Sequence, residues 1–295
     1  MRISLIDVDS KIPNLALMKI SNYHKLRGDI VGFNLINPDL VYHSIIFTKN
    51  KNKAYNKTLI DVNHVFGGSG YDLSVKLPES IEYIKPDYDL YPSEYMMGYT
   101  TRGCNRNCYF CFVPKKEGCF KTHQHPEDFY DNRFDTVKLL DNNILLDKNW
   151  FKIVANWYID HNVSVDMTQG YDIRLLDDKY LDLILKIKDK KTPLKFAFDD
   201  TKLESLIRKK IQMIKDKGVN TKNDVAVYCY CHNDLMHDDA LYRAELLKSL
   251  NVNADVMWNC ELPRTQRIKN LVYWSWRKQL FWSIPYEQYS KLLHT

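Results

Sequence analysis

The stretch from Tyr95 to Cys111 reads YMMGYTTRGCNRNCYFC and joins an apolar strand pattern to three cysteines spaced C-x3-C-x2-C. Thiolates are soft ligands that suit iron–sulfur clusters and zinc, and three of them on one short loop can converge on one inorganic centre. On a four-iron cluster, three protein ligands leave one iron open to a small molecule. We therefore predict a strand followed by a ligand loop in which Cys104, Cys108 and Cys111 hold the centre.

The segment Tyr95–Thr100 is the first of six apolar segments, each followed by a helical pattern. The other five are Thr136–Leu140, Val163–Met167, Leu194–Phe198, Val225–Tyr230 and Ala254–Trp258. The clearest helical face carries Phe151, Val154, Ala155, Tyr158 and Ile159. Consecutive βα units with right-handed crossovers build a parallel sheet that can curl into a barrel, with its site at the carboxyl ends of the strands. The predicted fold class is therefore α/β, with a partial (βα)6 TIM-like barrel.

The N-terminal part of the chain shows a smaller α/β pattern. Its strand candidates are Ile3–Val8, Ile30–Phe33 and Leu40–Phe47. An amphipathic stretch between the first two is capped by Asn14 and stops at Gly28. Prolines between Pro78 and Pro92 predict an extended connector. We therefore place a small N-terminal segment and connector at 1–92, and the barrel with a C-terminal helix at 93–295.

Composition limits the class of protein. The 295 residues are 45% hydrophobic and 27% charged, which is typical of a folded globular chain and excludes a disordered or fibrous one. No apolar run approaches the length of a membrane span, and the first ten residues lack the pattern of a signal peptide. We therefore expect a cytoplasmic protein without a membrane partner, in which seven cysteines indicate a metal or catalytic site rather than disulfides. The net charge of +5 is scattered and permits an anionic partner without requiring one.

The cysteine loop resembles the signature of the radical S-adenosylmethionine superfamily, which has this spacing and an aromatic residue before the third cysteine, here Phe110. The resemblance implies a [4Fe-4S] cluster on the three cysteines and S-adenosylmethionine on the open iron. Reductive cleavage would give a 5′-deoxyadenosyl radical that abstracts a hydrogen atom from a substrate. An electron donor such as flavodoxin or ferredoxin is implied as a partner.

The resemblance is greatest to an uncharacterised, partly phage-encoded subgroup with a short flavodoxin-like or cobalamin-domain-like N-terminal segment. It rests on the strand ends Leu139–Asn143, Gln169–Arg174 and Phe196–Asp200. It leaves the substrate open between a nucleoside, nucleic acid or nucleotide-derived metabolite and a peptide or small metabolite. Besides the cysteines, the resemblance implies cofactor-binding roles for Phe110, Asp141, Asn143, Gln169, Arg174 and Asp199.

Each strand-end residue also has a structural interpretation. The run from Asp141 to Asn143, where the methionyl amine would bind, is also an ordinary turn sequence. Arg174 can pair with the methionyl carboxylate or with a neighbouring acid, Asp172 or Asp199. Asp199 can accept from a ribose hydroxyl or belong to a helix cap.

Other cysteines and histidines offer alternatives to the cluster. In a zinc site, the fourth ligand would be Cys119, His123 or His125. Cys229 and Cys231 fit small buried hydrophobes better than reactive thiols, and Cys260 is a weak catalytic candidate. A different class of protein, a non-catalytic zinc or iron–sulfur protein, would bind nucleic acid through Arg102, Arg106, Lys115 and Lys116.

Two further motifs are interpreted as structural. The sequence DVNHVFG, ending at Gly67, resembles the cobalamin motif D-x-H-x-x-G but places His64 one position late, so we expect a loop histidine and no cobalamin. The aromatic residues of the last helix are predicted to form core and lid packing rather than a base-stacking platform; they are Trp274, Trp276, Phe281 and Trp282.

Overall fold

The computed structural model describes residues 1–55, 62–187 and 192–292. It divides into two compact units, one made of Met1–Asn142 with His161–Val165, the other of Asn143–Asp160 with Asp166–Thr295. This division does not coincide with the boundary expected near residue 92. The assignment of 1–92 and 93–295 as domains therefore stays a prediction.

The first unit begins with a parallel sheet in which the strand order is β2-β1-β3-β4. Its strands are β1 (Arg2–Asp7), β2 (Ile30–Phe33), β3 (Leu40–Ser44) and β4 (Asn63–Gly67). The helix α1 (Leu15–Leu26) connects the first two. As predicted, Asn14 caps this helix by accepting from the backbone N–H of Leu17 at 3.2 Å, and Gly28 follows its end with a φ of +80°.

Apolar side chains of β1 and α1 form the core of this sheet. Two short helices, α2 (Lys51–Tyr55) and α3 (Glu79–Glu82), come after β3 and β4 in the chain, respectively. The core cluster consists of Ile3, Leu5, Leu17, Ile20 and Ile81. The sequence predicted an extended connector over Pro78–Pro92, but α3 occupies the start of this segment and Ile81 belongs to that helix. Burial of Ile81 explains the difference, since a fully buried aliphatic side chain contributes about 1.5–3 kcal/mol.

The first unit also contains the strand before the cysteines. The elements in chain order are β5 (Met96–Gly98), β6 (Thr101–Arg102), α4 (Val113–Glu117), β7 (Lys121–Thr122), β8 (Thr136–Leu139) and β9 (Ser164–Asp166). The order β5-β8-β9 forms a sheet in which β5 and β8 are parallel, and β6 pairs with β7 in an antiparallel hairpin. The three motif cysteines lie between β6 and α4.

The second unit is built around the parallel sheet β10-β11-β12. Its elements are α5 (Lys148–Asp160), α6 (Asp178–Lys186), β10 (Leu194–Ala197), α7 (Glu204–Asp216), α8 (Thr221–Asp224), β11 (Val225–Cys231), α9 (His237–Ser249), β12 (Asn253–Trp258), α10 (Gln266–Trp276), α11 (Lys278–Ser283) and α12 (Tyr286–Leu292). Phe151, Val154, Ala155 and Tyr158 of α5 are buried, as their spacing predicts.

The α/β class and the parallel strands are confirmed, and each of the six predicted strand segments contains a strand. These strands pair as two three-stranded sheets, and within the described residues they do not close into a barrel. No helix in the described ranges combines the length and the apolar composition that a bilayer crossing needs.

Candidate functional site

The loop that carries the cysteines is closed at its base by backbone contacts. The N–H of Cys104 donates to the carbonyl oxygen of Gly118 at 3.3 Å. Gly103 has a φ of +75°, and a Cβ at this position would lie 2.2 Å from the carbonyl oxygen of Cys119. Only glycine fits here, because both the backbone angle and the close approach exclude a side chain.

Glu117 fastens the same loop from the end of α4. Its Oε2 accepts from the backbone N–H of Gly103 at 3.1 Å and from Nδ2 of Asn142 at 3.1 Å. Nε of Arg102 lies 3.2 Å from the same oxygen. The guanidinium of Arg102 also lies over the ring of Tyr99, 3.9 Å from its centroid. No role for Glu117 was predicted from the sequence, although Gly103 and Gly118 on either side of the cysteines could have indicated a closed loop.

The three motif cysteines share one environment. Cys104, Cys108 and Cys111 are half-buried, whereas Cys119 is exposed. Burial raises the pKa of the Cys111 thiol, and the nearby Cys104 adds to the rise. The N–H of Arg106 lies 3.4 Å from the sulfur of Cys104, which is the kind of contact that stabilises a coordinating thiolate.

Three thiols on one loop between β6 and α4 are the kind of ligand that an iron–sulfur cluster takes. Their sulfur atoms are not assembled into a finished ligand set: across residues 1–55, 62–187 and 192–292, no three His, Cys, Asp or Glu side chains are placed to hold a metal ion together.

Phe110, the aromatic residue of the motif, is half-buried next to the exposed Tyr109. The two rings meet edge to face, with centroids 5.1 Å apart. This contact lies in the middle of the cysteine loop. It gives the loop a local apolar element, and the cofactor-binding role of Phe110 stays a prediction.

Asp141 lies at the carboxyl end of β8 and is fully buried. Its carboxylate accepts from the N–H of Thr100 at 3.1 Å, from the hydroxyl of Thr100 at 2.8 Å and from the hydroxyl of Thr101. Burial raises the pKa of Asp141, and the threonine donors act against that rise. These contacts support a role in positioning the strand that enters the cysteine loop, and a contact with the methionyl amine stays a prediction.

The second unit places three polar residues together near the start of α5. Nδ2 of Asn143 donates to Oδ2 of Asp172 at 3.1 Å. Arg174 donates to both oxygens of Asp172, at 2.7 and 3.0 Å. The structure therefore contains one of the ion pairs that the sequence analysis named as an alternative for Arg174. About a third of the Arg174 side chain is exposed.

Asp199 follows β10 and is hydrogen-bonded to the neighbouring strand, β11. Its Oδ1 accepts from the N–H of Tyr230 at 2.8 Å, and burial raises its pKa while Arg243 and Arg174 lower it. Its neighbour Asp200 supplies the helix cap, by accepting from the N–H of Lys202. Gln169 is exposed after β9. The roles of Gln169 and Asp199 in binding a cofactor stay predictions.

The three residues named as possible fourth ligands of a zinc site differ in their contacts and exposure. Nε2 of His123 lies 3.1 Å from Oε1 of Glu82, and the His123 side chain is only 2% exposed. His125 accepts from the N–H of Glu127 at the start of a 3-10 turn. Cys119 is exposed.

The remaining cysteines differ in accessibility. Cys229 and Cys231 are buried in β11, and burial raises the pKa of Cys229 to about 12 and that of Cys231 to about 11. Thiols with such high pKa values stay protonated near neutral pH and are therefore unreactive. This agrees with the predicted role of Cys229 and Cys231 as small hydrophobic residues. Cys260 is exposed just after β12.

His64 lies on β4, not on a loop as the sequence predicted. The strand forms because residues 63–67 pair with β3, a contact that the local sequence does not indicate. In this register His64 lies opposite Val41, and its Nδ1 lies 2.8 Å from Nε2 of the buried His43. Asp61, the first residue of the cobalamin-like motif, falls outside the described residues.

Comparisons with known proteins give no family for this chain. No family model and no curated protein matches it. A solved structure of a mutant XylFII–LytSN complex aligns over 86% of this chain and 84% of that chain, with 14% sequence identity and a TM-score of 0.19. A TM-score this low does not indicate a shared fold, so the function is argued from the residues.

Proposed function

We propose that the chain is a radical S-adenosylmethionine enzyme in which Cys104, Cys108 and Cys111 hold a [4Fe-4S] cluster. The observation that carries the proposal is the position of these half-buried thiols on one loop between β6 and α4, shortly after β5, which pairs in parallel with β8. Polar sites of parallel α/β sheets lie at the carboxyl ends of strands. Phe110 adds the aromatic residue of the motif.

When bound, the cluster would supply an electron to S-adenosylmethionine and so generate a carbon radical that abstracts a hydrogen atom from a substrate. The chain's own contribution begins with the loop. Glu117 fixes its two ends by accepting from Gly103 and Arg102. Asp141 fixes the preceding strand through Thr100 and Thr101. A loop whose two ends are fixed in this way would limit the access of water and of unwanted hydrogen donors to a reactive centre.

The binding of S-adenosylmethionine is proposed for strand-end residues of a partial (βα)6 barrel. Within the first unit, Asp141 is the candidate for the methionyl amine. In the second unit, Arg174 is the candidate for the methionyl carboxylate, because a guanidinium donates charge-assisted hydrogen bonds to carboxylates, as its Nε and Nη2 do to Asp172. Asn143, Gln169 and Asp199 are proposed to accept or donate hydrogen bonds to the amino acid and ribose groups.

The proposed partners follow from the reaction. A cluster that must be reduced needs a one-electron donor, such as flavodoxin or ferredoxin. The substrate is proposed to be a nucleoside, a nucleic acid or a nucleotide-derived metabolite, and a peptide or other small metabolite is the alternative. We propose a cytoplasmic location, since reduced thiols are maintained there.

The test is product analysis with the full chain, reconstituted with iron and sulfide under anaerobic conditions. With dithionite and S-adenosylmethionine, we expect slow formation of 5′-deoxyadenosine and methionine without added substrate. A variant with Ala at all three motif cysteines is the control and should form neither product. S-adenosylhomocysteine as the sole product, or equal 5′-deoxyadenosine from the control, would contradict the proposal.

A further inference from the structure

Aromatic and arginine side chains gather on one face of the second unit, near the carboxyl end of β12. Trp258 and Trp276 pack with ring centroids 5.7 Å apart, and the Arg264 guanidinium lies 4.5 Å from the centroid of the Trp258 ring. Arg277 lies over Tyr273, 5.2 Å from its centroid. We refer to Trp258, Arg264, Tyr273, Trp276 and Arg277 as the aromatic–arginine surface.

Two large rings of this surface are open to solvent, and the third, Trp258, is half-buried. Trp276 is 48% exposed and Tyr273 is 52% exposed. By contrast, Trp274 and Phe281 of the same region are fully buried, as predicted. The prediction of core and lid packing therefore holds for the buried Trp274 and Phe281, whereas the exposed Trp276 does not belong to the core. The cause is its position on α10, because Trp274 lies on the buried face of the helix and Trp276 does not.

The exposed rings are held in fixed positions. Nε1 of Trp276 donates to the carbonyl oxygen of Val256 at 2.9 Å, and the hydroxyl of Ser275 accepts from the N–H of Val256 at 3.2 Å. These bonds tie the end of α10 to β12. A rigid, exposed ring loses little conformational entropy when a planar ligand stacks on it.

The charge on this part of the chain favours a polyanion. Residues 259–280 contain five basic residues and a single acidic one, Glu261, whereas the whole chain has a net charge of only +5. Within the described residues, neither Arg264 nor Arg277 has a carboxylate in salt-bridge contact, although Arg174, Arg208 and Arg243 each have one. The two guanidinium groups of the aromatic–arginine surface are therefore available to phosphates.

We infer that the aromatic–arginine surface binds single-stranded nucleic acid. Fixed aromatic rings offer stacking positions for unpaired bases, and arginines beside them neutralise the backbone, which is how proteins bind single strands without reading their sequence. Duplex nucleic acid fits less well, since its bases are already stacked. This inference does not depend on the proposed cluster chemistry.

The test is fluorescence anisotropy of a labelled oligothymidylate of about 12 nucleotides, a length within the range that such surfaces cover, titrated with the full-length chain. Trp276→Ala should weaken binding about tenfold, the effect of losing one stacking ring. Arg264→Gln and Arg277→Gln should each weaken binding and reduce the slope of log affinity against log salt by about one. Trp276→Phe, which keeps a ring, should bind more tightly than Trp276→Ala.

Tyr242→Ala is the matched control, because Tyr242 of α9 is 49% exposed but donates its hydroxyl hydrogen to Glu204. It should bind like the wild type. The two arginine variants test the inference even if Trp276→Ala does not fold. Absence of binding by the wild type, equal affinity in all variants, or a preference for duplex would overturn the inference. Self-association through Trp276 without binding to the oligonucleotide would overturn it as well.

Discussion

The carboxylate of Glu117 accepts the backbone N–H of Gly103 at 3.1 Å, across the loop that carries all three motif cysteines. This bond joins the first residue of the loop to the helix that ends it. Since Asn142 and Arg102 use the same oxygen, one carboxylate holds three segments of the chain. The geometry of the cysteine loop therefore depends on an acid outside the motif.

Removal of this carboxylate should destabilise the loop. We expect Glu117→Ala to lower the free energy of unfolding by about 1–3 kcal/mol, because a backbone N–H, an amide and a guanidinium lose their acceptor. Denaturant unfolding followed by circular dichroism measures the change. Glu117→Gln, which retains one acceptor oxygen, should lose less. Glu94→Gln, at an exposed position, is the control and should unfold like the wild type.

Two glycines of the loop differ in a way that gives a second test. Gly103 and Gly118 both have positive φ, +75° and +82°, but only at Gly103 would a Cβ meet backbone atoms. Gly118→Ala should cost about 1–3 kcal/mol from the backbone angles alone, because φ +82° with ψ −156° is a conformation that essentially only glycine adopts. Gly103→Ala should cost more and should also lower the iron bound after reconstitution. Equal stability of the two variants would contradict the close packing of Gly103 against Cys119.

The sequence predicted the local elements well and the distant contacts poorly. The capped helix α1, the bounds of β2 and the six strand segments follow from side-chain periodicity and from signals at Asn14 and Gly28, all of which act over a few residues. Strand β4 was missed because its five residues carry little apolar pattern, and pairing with β3 determines their conformation. The division of the six predicted strands into two separate sheets likewise depends on pairing between residues that are far apart in the sequence.

The candidate site shows the same limit. The spacing of the cysteines is a local signal and indicated the ligand loop. The role of Glu117 depends on its contact with Gly103, fourteen residues earlier in the chain. The ion pair between Arg174 and Asp172 was one of two alternatives, and only the side-chain geometry distinguishes them. Trp276 was grouped with Trp274 in core and lid packing because the aromatic residues alone do not show which face of the helix is buried.

The buried Lys19 gives a prediction of pH dependence. Its Nζ donates to Oε1 of Gln124 at 2.9 Å, and burial lowers its pKa from 10.5 to about 8, although Glu82 acts in the opposite direction. Since the folded state binds this proton less tightly than the unfolded state, the free energy of unfolding should rise with pH between about 8 and 10.5. The rise attributable to Lys19 should be about 1–3 kcal/mol.

Urea unfolding at the two ends of this pH range measures the effect. Lys19→Met should show a smaller rise than the wild type, because the titrating group is absent. Lys25→Met, in the exposed part of the same helix, should retain the rise. A wild-type rise that persists in full in Lys19→Met would contradict the assignment of the titration to Lys19.

Substitution of the proposed S-adenosylmethionine ligands should weaken binding of S-adenosylmethionine without lowering the iron content. Arg174→Ala and Asp199→Ala are expected to weaken S-adenosylmethionine binding by about 1.5–3 kcal/mol, the range for a hydrogen bond to a charged partner, while iron content stays unchanged. Isothermal titration and iron analysis of the same preparations test this. Wild-type affinity in both variants would show that Arg174 and Asp199 serve only their contacts with Asp172 and Tyr230.

The most direct measurement is the iron and acid-labile sulfide content of the chain after anaerobic reconstitution, for the wild type and for single cysteine variants. The wild type should be brown and should hold about four irons and four sulfides, the composition of a [4Fe-4S] cluster. Cys104→Ala, Cys108→Ala and Cys111→Ala should each lose the chromophore, whereas Cys119→Ala should retain it. Colourless protein with stoichiometric zinc, or loss of the cluster in Cys119→Ala, would contradict a three-cysteine cluster with an open iron.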